Sequence, residues 1–297
     1  MGFNDIFCGV VGNFLYDLFK KIIRCSNHKN NQFTDENKII DNINNTLKLD
    51  NYNTENLIIK TISQRFHHII NMMNQGYTYE KYTVSLMAET MGLEKTGKLY
   101  NYVNGVEEPT FAFMDRFCQY FGVNADWLKN GNWTPFGSLE VSEILPLDYL
   151  KRIKKLDPNT IFFIRSKSDI GKTGIVLQIN EFKYIYFPRI YHLSSHVGGT
   201  GRRQIFSFYK LIKAIEEVKL SSKCFGRVIE DNVFNDIFSG KLFSGIVSTF
   251  PNSQNLWWDD FTDVYHKYPI AENYERWYGK EFIIAQEIVK DFLDKKK

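Results

Sequence analysis

The sequence contains no pair of cysteines at metal-binding or redox spacing. Its four cysteines, Cys8, Cys25, Cys118 and Cys224, are scattered along 297 residues and form neither a CxxC motif nor a Cys/His ligand set. Zinc is therefore not expected, and a reducing, cytoplasmic setting is. No stretch of about 18 residues is free of charge, which argues against a membrane-spanning helix. No basic segment precedes the first apolar run, which argues against a secretory signal. Also missing are the GxxxxGK[ST] and GxGxxG loops and the HExxH helix, so the common nucleotide and metalloprotease signatures are not present.

Charge of one sign is lacking overall but not locally. The formal net charge is +3, yet residues 151–223 carry fifteen Lys and Arg against five Asp and Glu. Residues 137–150 carry none against three, and 224–297 carry nine against twelve. Residues 1–56 and 57–136 are close to neutral, with six against seven and seven against seven. An anionic partner would be felt most strongly at 151–223.

Over residues 5–24, apolar side chains recur in pairs about every four positions, from Ile6 and Phe7 through Val10, Val11, Phe14 and Leu15 to Ile22 and Ile23. That spacing makes a wide apolar stripe on one helix, with Asp5, Asn13, Asp17, Lys20 and Lys21 opposite. The stripe must be buried against this protein, a second copy or a partner protein. Asp17 and the weakly basic polar face argue against a membrane surface. Residues 1–25 are thus read as an amphipathic helix and the Asn-rich 26–56 as a linker with one short helix.

From Leu57 the period is helical. Ile58, Ile62, Phe66, Ile69, Ile70 and Met73 share one face of a helix that stops at Gly76. Further helices are expected over about 82–91, 96–103 and 110–121, with Pro109 before a start and Gly105 and Gly122 after two stops. Leu99 and Tyr102 are three apart and should face the core.

The stretches "LMAETMGL" and "LYNYVNGVEEPTFAFMDRFCQYFGVNADWLKNG" resemble the helix-turn-helix of the lambda repressor and Cro-like proteins, the XRE superfamily, over about 57–136. Ala88 matches the small residue at the helix crossing and Gly92 the turn. Helices crossing at about 90–120° through a tight turn need such small residues. The resemblance implies a bundle closed by Trp127, Leu128 and Phe136 as structural residues. It also implies that Lys95, Thr96, Lys98 and Asn101 face outward to contact double-stranded DNA. A bacterial or phage repressor acting as a homodimer is what the family would suggest.

The second half, 151–297, is set off by a linker at 137–150 and changes period. "TIFFIR", "GIVLQI" and "KYIYFP" read as strands of a small antiparallel sheet. A helix is expected from "QIFSFYKLIKAIEEVKL", with others at 227–239 and 271–294. The expected fold class is α+β: an amphipathic helix, an all-α helix-turn-helix bundle and a C-terminal α+β domain.

Chemistry in this half is weakly signalled. "GGTGRR" reads as a glycine-rich loop before a helix, and Arg202 and Arg203 are candidate phosphate contacts. His192 and His196 lack an accompanying glutamate, and Asp259, Asp260 and Asp263 lack a partner carboxylate, so neither set is read as a metal site. Nor is there a GDSM-like serine turn followed by a lysine base, so self-cleavage is not expected. No cofactor and no catalytic residue is assigned. Three readings stand: a DNA-binding regulator whose C-terminal half serves oligomerisation, sensing or partner binding; a subunit of a larger assembly such as a phage-defence system, using the motif as an adaptor; and an enzyme on a phosphate-containing substrate in 151–297.

Overall fold

A computed structural model describes residues 56–137, 146–252 and 255–295. The amphipathic helix expected over 1–25 lies outside the described residues, as do the linker expected over 26–56, save its last residue, and most of that expected over 137–150. The remainder is α+β, with a mixed sheet of five strands.

Five helices come first: α1 over 56–74, α2 Val84–Thr90, α3 Gly97–Val103, α4 Phe111–Phe121 and α5 Ala125–Asn130. Their ends follow local chemistry. The Thr83 and Thr110 hydroxyls each accept from a backbone N–H of the first turn, Leu86 and Phe113 respectively, at 3.2 Å. Gly122 and Gly131 stop α4 and α5 in the left-handed conformation, with φ of 68° and 78°. Phe66, Ile69, Met73, Met87, Leu99, Phe117, Phe121 and Leu128 fill the space between the helices. The Arg65 guanidinium closes α5 by donating to the carbonyls of Leu128 and Lys129, at 3.1 and 2.7 Å.

Helix α6, Pro146–Leu156, leads into β1, Thr160–Ser166. The chain turns back through β2, Lys172–Gln178, and then makes the short β3, Tyr184–Tyr186, and β4, Tyr191–His192, both antiparallel to β2. So far the sheet is the antiparallel one expected. The fifth strand corrects that expectation: β5, Cys224–Ile229, lies parallel to β1, giving the order β3-β2-β1-β5. The reason is the connection. A 19-residue helix, α7 Gly199–Glu217, carries the chain from β4, which runs in the direction of β1, to β5, and such a crossover returns the chain in the same direction.

Two further expectations are corrected. Residues 227–229 belong to β5, and the helix begins only at α8, Asp231–Phe238. The segment expected as one helix over 271–294 is two, α10 Ile270–Tyr278 and α11 Lys280–Asp294, separated by Gly279 at φ 88°. A short helix α9, Trp257–Asp260, precedes them.

Both faces of the sheet are covered, which is why β1 and β2 read as nearly unbroken apolar runs. On one face Ile161, Phe163, Ile175 and Leu177 pack with Ile205, Phe208, Trp257 and Phe282 of the flanking helices. Gly226 lets Trp257 approach: a Cβ there would stand 2.6 Å from the indole Cδ1, and the indole N–H donates to the Phe163 carbonyl at 3.2 Å. On the other face Phe162, Ile164, Val176, Tyr184 and Tyr186 share one core with the five-helix bundle. Phe243 stands at the junction, its ring centroid 6.0 Å from Tyr82, 5.2 Å from Phe136 and 5.5 Å from Tyr184. Phe182 is wedged between Tyr82 and Phe121, and the Phe136 N–H donates to the Gly240 carbonyl at 3.0 Å. The described residues from Ile58 onward accordingly form one compact unit.

Candidate nucleic-acid interface

The outward surface of the bundle centres on α3 and the turn before it. Helix α2 ends where the N–H groups of Gly92 and Leu93 turn back to the carbonyls of Glu89 and Ala88, at 2.8 and 3.0 Å. Gly92 supplies the required positive φ of 65°. The Arg116 guanidinium, from α4, donates to the Met91 carbonyl and ties down this turn. Ala88 is fully buried and Gly92 exposed, so the small residue serves packing and the glycine serves the turn.

Helix α3 then presents two unlike sides. Leu99, Tyr102 and Val103 are buried, with the Tyr102 ring 4.6 Å from that of Phe113. The Ser63 hydroxyl anchors the far end by donating to the Val103 carbonyl at 2.5 Å. Opposite, Lys95 and Lys98 are exposed and Thr96 and Asn101 half-buried. No ion pair to Lys95 or Lys98 occurs among the described residues. A Cβ on Gly97 would meet no atom within 4 Å, so the start of the helix faces open space. All four residues singled out in the sequence thus lie on or beside one short helix.

Sequence reasoning missed two neighbours. Ser85, in the first turn of α2, lies with its Oγ 3.4 Å from the Thr96 Oγ1 and extends the polar surface. Arg116 holds the turn from 25 residues away. Both depend on how helices cross, which periodicity does not encode. Glu89, Glu94, Glu107 and Glu108, on or close to α2 and α3 in the chain, are also exposed, as are the apolar side chains Tyr100 and Val106.

The basic segment has a different fate from that suggested by its charge. Lys167 and Lys172 pair with Glu230 and Asp231, at 2.5 and 3.0 Å, and Arg202 pairs with Asp291 at 3.1 Å. Lys151, Lys213 and Lys223 also stand beside carboxylates, and Arg165 is buried. Three of the segment's cations are thus paired with the acidic C-terminal segment, which lowers its positive excess without removing it.

The GGTGRR stretch is corrected from a loop to the first turn of α7, with Gly198 as its N-cap. Arg202 is held by Asp291, while Arg203 is exposed. His192 lies in β4 rather than in a loop, and His196 is 4.0 Å from a Glu281 oxygen. Asp260 accepts from the hydroxyls of Tyr274 and Tyr278, at 3.3 and 2.5 Å, and Asp263 accepts from Tyr274 at 3.2 Å. These aspartates thus bind a tyrosine pair. No helix among the described residues is long and apolar enough to cross a membrane. Comparison with protein-family models, curated proteins and solved structures found no match for this chain.

Proposed function

We propose that this protein is a sequence-specific DNA-binding transcriptional regulator, with helices α1 to α5 acting as a helix-turn-helix bundle and α3 as its reading helix. The observation that carries the reading is the two-sidedness of α3. Its apolar side is consumed by the core, while Lys95, Thr96, Lys98 and Asn101 lie at the opposite, solvent-facing side. Such a helix, buried on one side and carrying polar side chains on the other, with Lys98 and the adjoining Lys95 exposed among the described residues, is what major-groove docking requires. The contacts joining the bundle to the sheet run through Tyr77, Tyr82, Phe121 and Phe136, none of them in α3.

In this reading Lys95 and Lys98 contact phosphates or guanine edges and Asn101 reads adenine. The sheet domain then supplies oligomerisation, sensing or partner contact. A homodimer would read two half-sites about 34–36 Å apart, so its operator should be palindromic. Arg203 remains available to a backbone phosphate.

Selection of bound fragments from a sheared genomic library at about 150 mM salt tests this directly, because screening at that ionic strength suppresses loose charge-driven binding. One palindromic site should be enriched. Recovery of nothing, or of fragments without sequence bias, would sink the proposal. That outcome would favour a second reading, an adaptor subunit of a larger assembly, which is motivated by the exposure of Glu89, Glu94, Glu107 and Glu108 together with Tyr100 and Val106. Carboxylates repel a duplex, whereas apolar side chains within a charged rim suit a protein partner.

A further inference from the structure

The strands β1 and β5 run parallel side by side, but the chain leaves β1 toward β2 on one side, and β5 adjoins β1 on the other. In open sheets the connections at such a point diverge and leave a crevice outside the carboxyl ends of the strands. This protein has a cavity of about 470 Å³ there, lined by Arg165, Ser166 and Val228 from the strand ends and by residues 277–281 from the α10–α11 junction.

Arg165 is the unexplained group. It is only 6% exposed, and no carboxylate among the described residues pairs with it. One terminal nitrogen donates to the Tyr278 carbonyl at 2.8 Å, the guanidinium lies 5.2 Å from the centre of the Phe282 ring, and Nε is buried without a partner. Burial holds its pKa down, to about 10. An unpaired buried cation is costly unless an anion compensates it.

The rest of the wall fits an anion with a flat appendage. Helix α11 begins at the cavity wall with Gly279 as its N-cap and no side chain capping it, so the positive end of a 15-residue helix borders that space. A Cβ on Gly279 would touch nothing within 4 Å. Lys280 lines the wall and is exposed. Ser166 and Ser168 also line it, their hydroxyls 2.6 Å apart. Of the lining carboxylates, Glu281 is already engaged by the Ser195 N–H at 2.5 Å, and Asp169 is the second. Trp277 borders the cavity with half its surface exposed, its ring centroid 6.2 Å from those of Tyr274 and Tyr278. The volume exceeds what a bare phosphate needs and falls within the range of small-molecule sites, about 300–1,000 Å³.

We propose that this cavity is a binding site for a mononucleotide-class ligand, with its phosphate on Arg165, Lys280 and the α11 N-terminus and its ring against Trp277. The site is independent of the DNA reading and would make the sheet domain the sensor of the chain. The test is calorimetric titration of the full-length protein, without DNA, with AMP, inorganic phosphate and adenosine. AMP should bind, with phosphate and adenosine each at least about tenfold weaker, because each lacks one set of contacts. Lys280→Glu should weaken AMP by about tenfold or more through charge reversal while leaving the unliganded melting temperature unchanged, since this side chain is exposed. Arg165→Met should abolish binding. Should that variant fail to fold, Lys280→Glu and Trp277→Ala still decide the matter. No heat with AMP up to about 1 mM, phosphate binding as tightly as AMP, or AMP binding unchanged in the folded variants would each overturn the proposal.

Discussion

Phe243→Ala should destabilise the helical bundle and the sheet together, by about 3–5 kcal/mol. Phe243 is 1% exposed and touches Tyr82 in the loop before α2, Phe136 at the end of the bundle and Tyr184 on β3. Truncating it removes a buried ring from a place where three parts of the chain meet. The surrounding backbone has little freedom to close the gap. At Gly240 a Cβ would stand 2.0 Å from the Phe136 carbonyl oxygen, so chain and chain already approach as closely as they can. Hydrogen exchange read by mass spectrometry on peptides from α2–α4 and from β1–β2 checks this. Both regions should lose protection together, and the denaturation midpoint should fall in one transition. Loss confined to the bundle would mean that the two parts are separate folding units despite their common core.

The second large effect concerns DNA. Asn101→Ala should cost about 1–3 kcal/mol of discrimination at one base pair and relax specificity there. Lys95→Ala with Lys98→Ala should weaken binding to all sequences alike and reduce the slope of log K against log salt by about 2, one for each phosphate no longer neutralised. Lys95 and Lys98 are exposed and Asn101 is only half-buried, so stability should be nearly unchanged. Fluorescence anisotropy across a salt series, on fragments recovered by selection, separates the two behaviours. A uniform loss from Asn101→Ala, or an unchanged slope in the double variant, would remove these residues from the interface.

Much of the bundle was legible because its punctuation is local. Thr110 after Pro109, Gly105 and Gly122 mark helix ends through their own backbone chemistry, and Leu99 and Tyr102 at a spacing of three point inward as periodicity dictates. The hairpin strands were legible for the same reason. Strand β5 was not: Gly226 and Arg227 interrupt its alternation, and Gly226 is there for Trp257, 31 positions away. Its parallel direction follows from α7, an element whose path no local pattern reveals.

Charge along the chain misled in an instructive way. The positive excess of 151–223 looks like a footprint for an anion, but Lys167, Lys172 and Arg202 meet Glu230, Asp231 and Asp291 only once the chain is folded. A buried cation without a carboxylate, Arg165, was hidden within an apolar strand motif, "TIFFIR", and its carbonyl partner Tyr278 is 113 positions away. Linear charge segments therefore overstated the surface and missed the cavity.

The central claim, that α3 carries the DNA, is tested most directly by site-specific photo-crosslinking on a selected fragment. A benzophenone amino acid is placed at Lys98, and in separate samples at Lys210 and Trp277, all three exposed in the protein without DNA. The account predicts adducts from Lys98 to bases within the enriched site and none from Lys210 or Trp277. Adducts from Lys210 with none from Lys98 would contradict it, moving the interface from the bundle to α7.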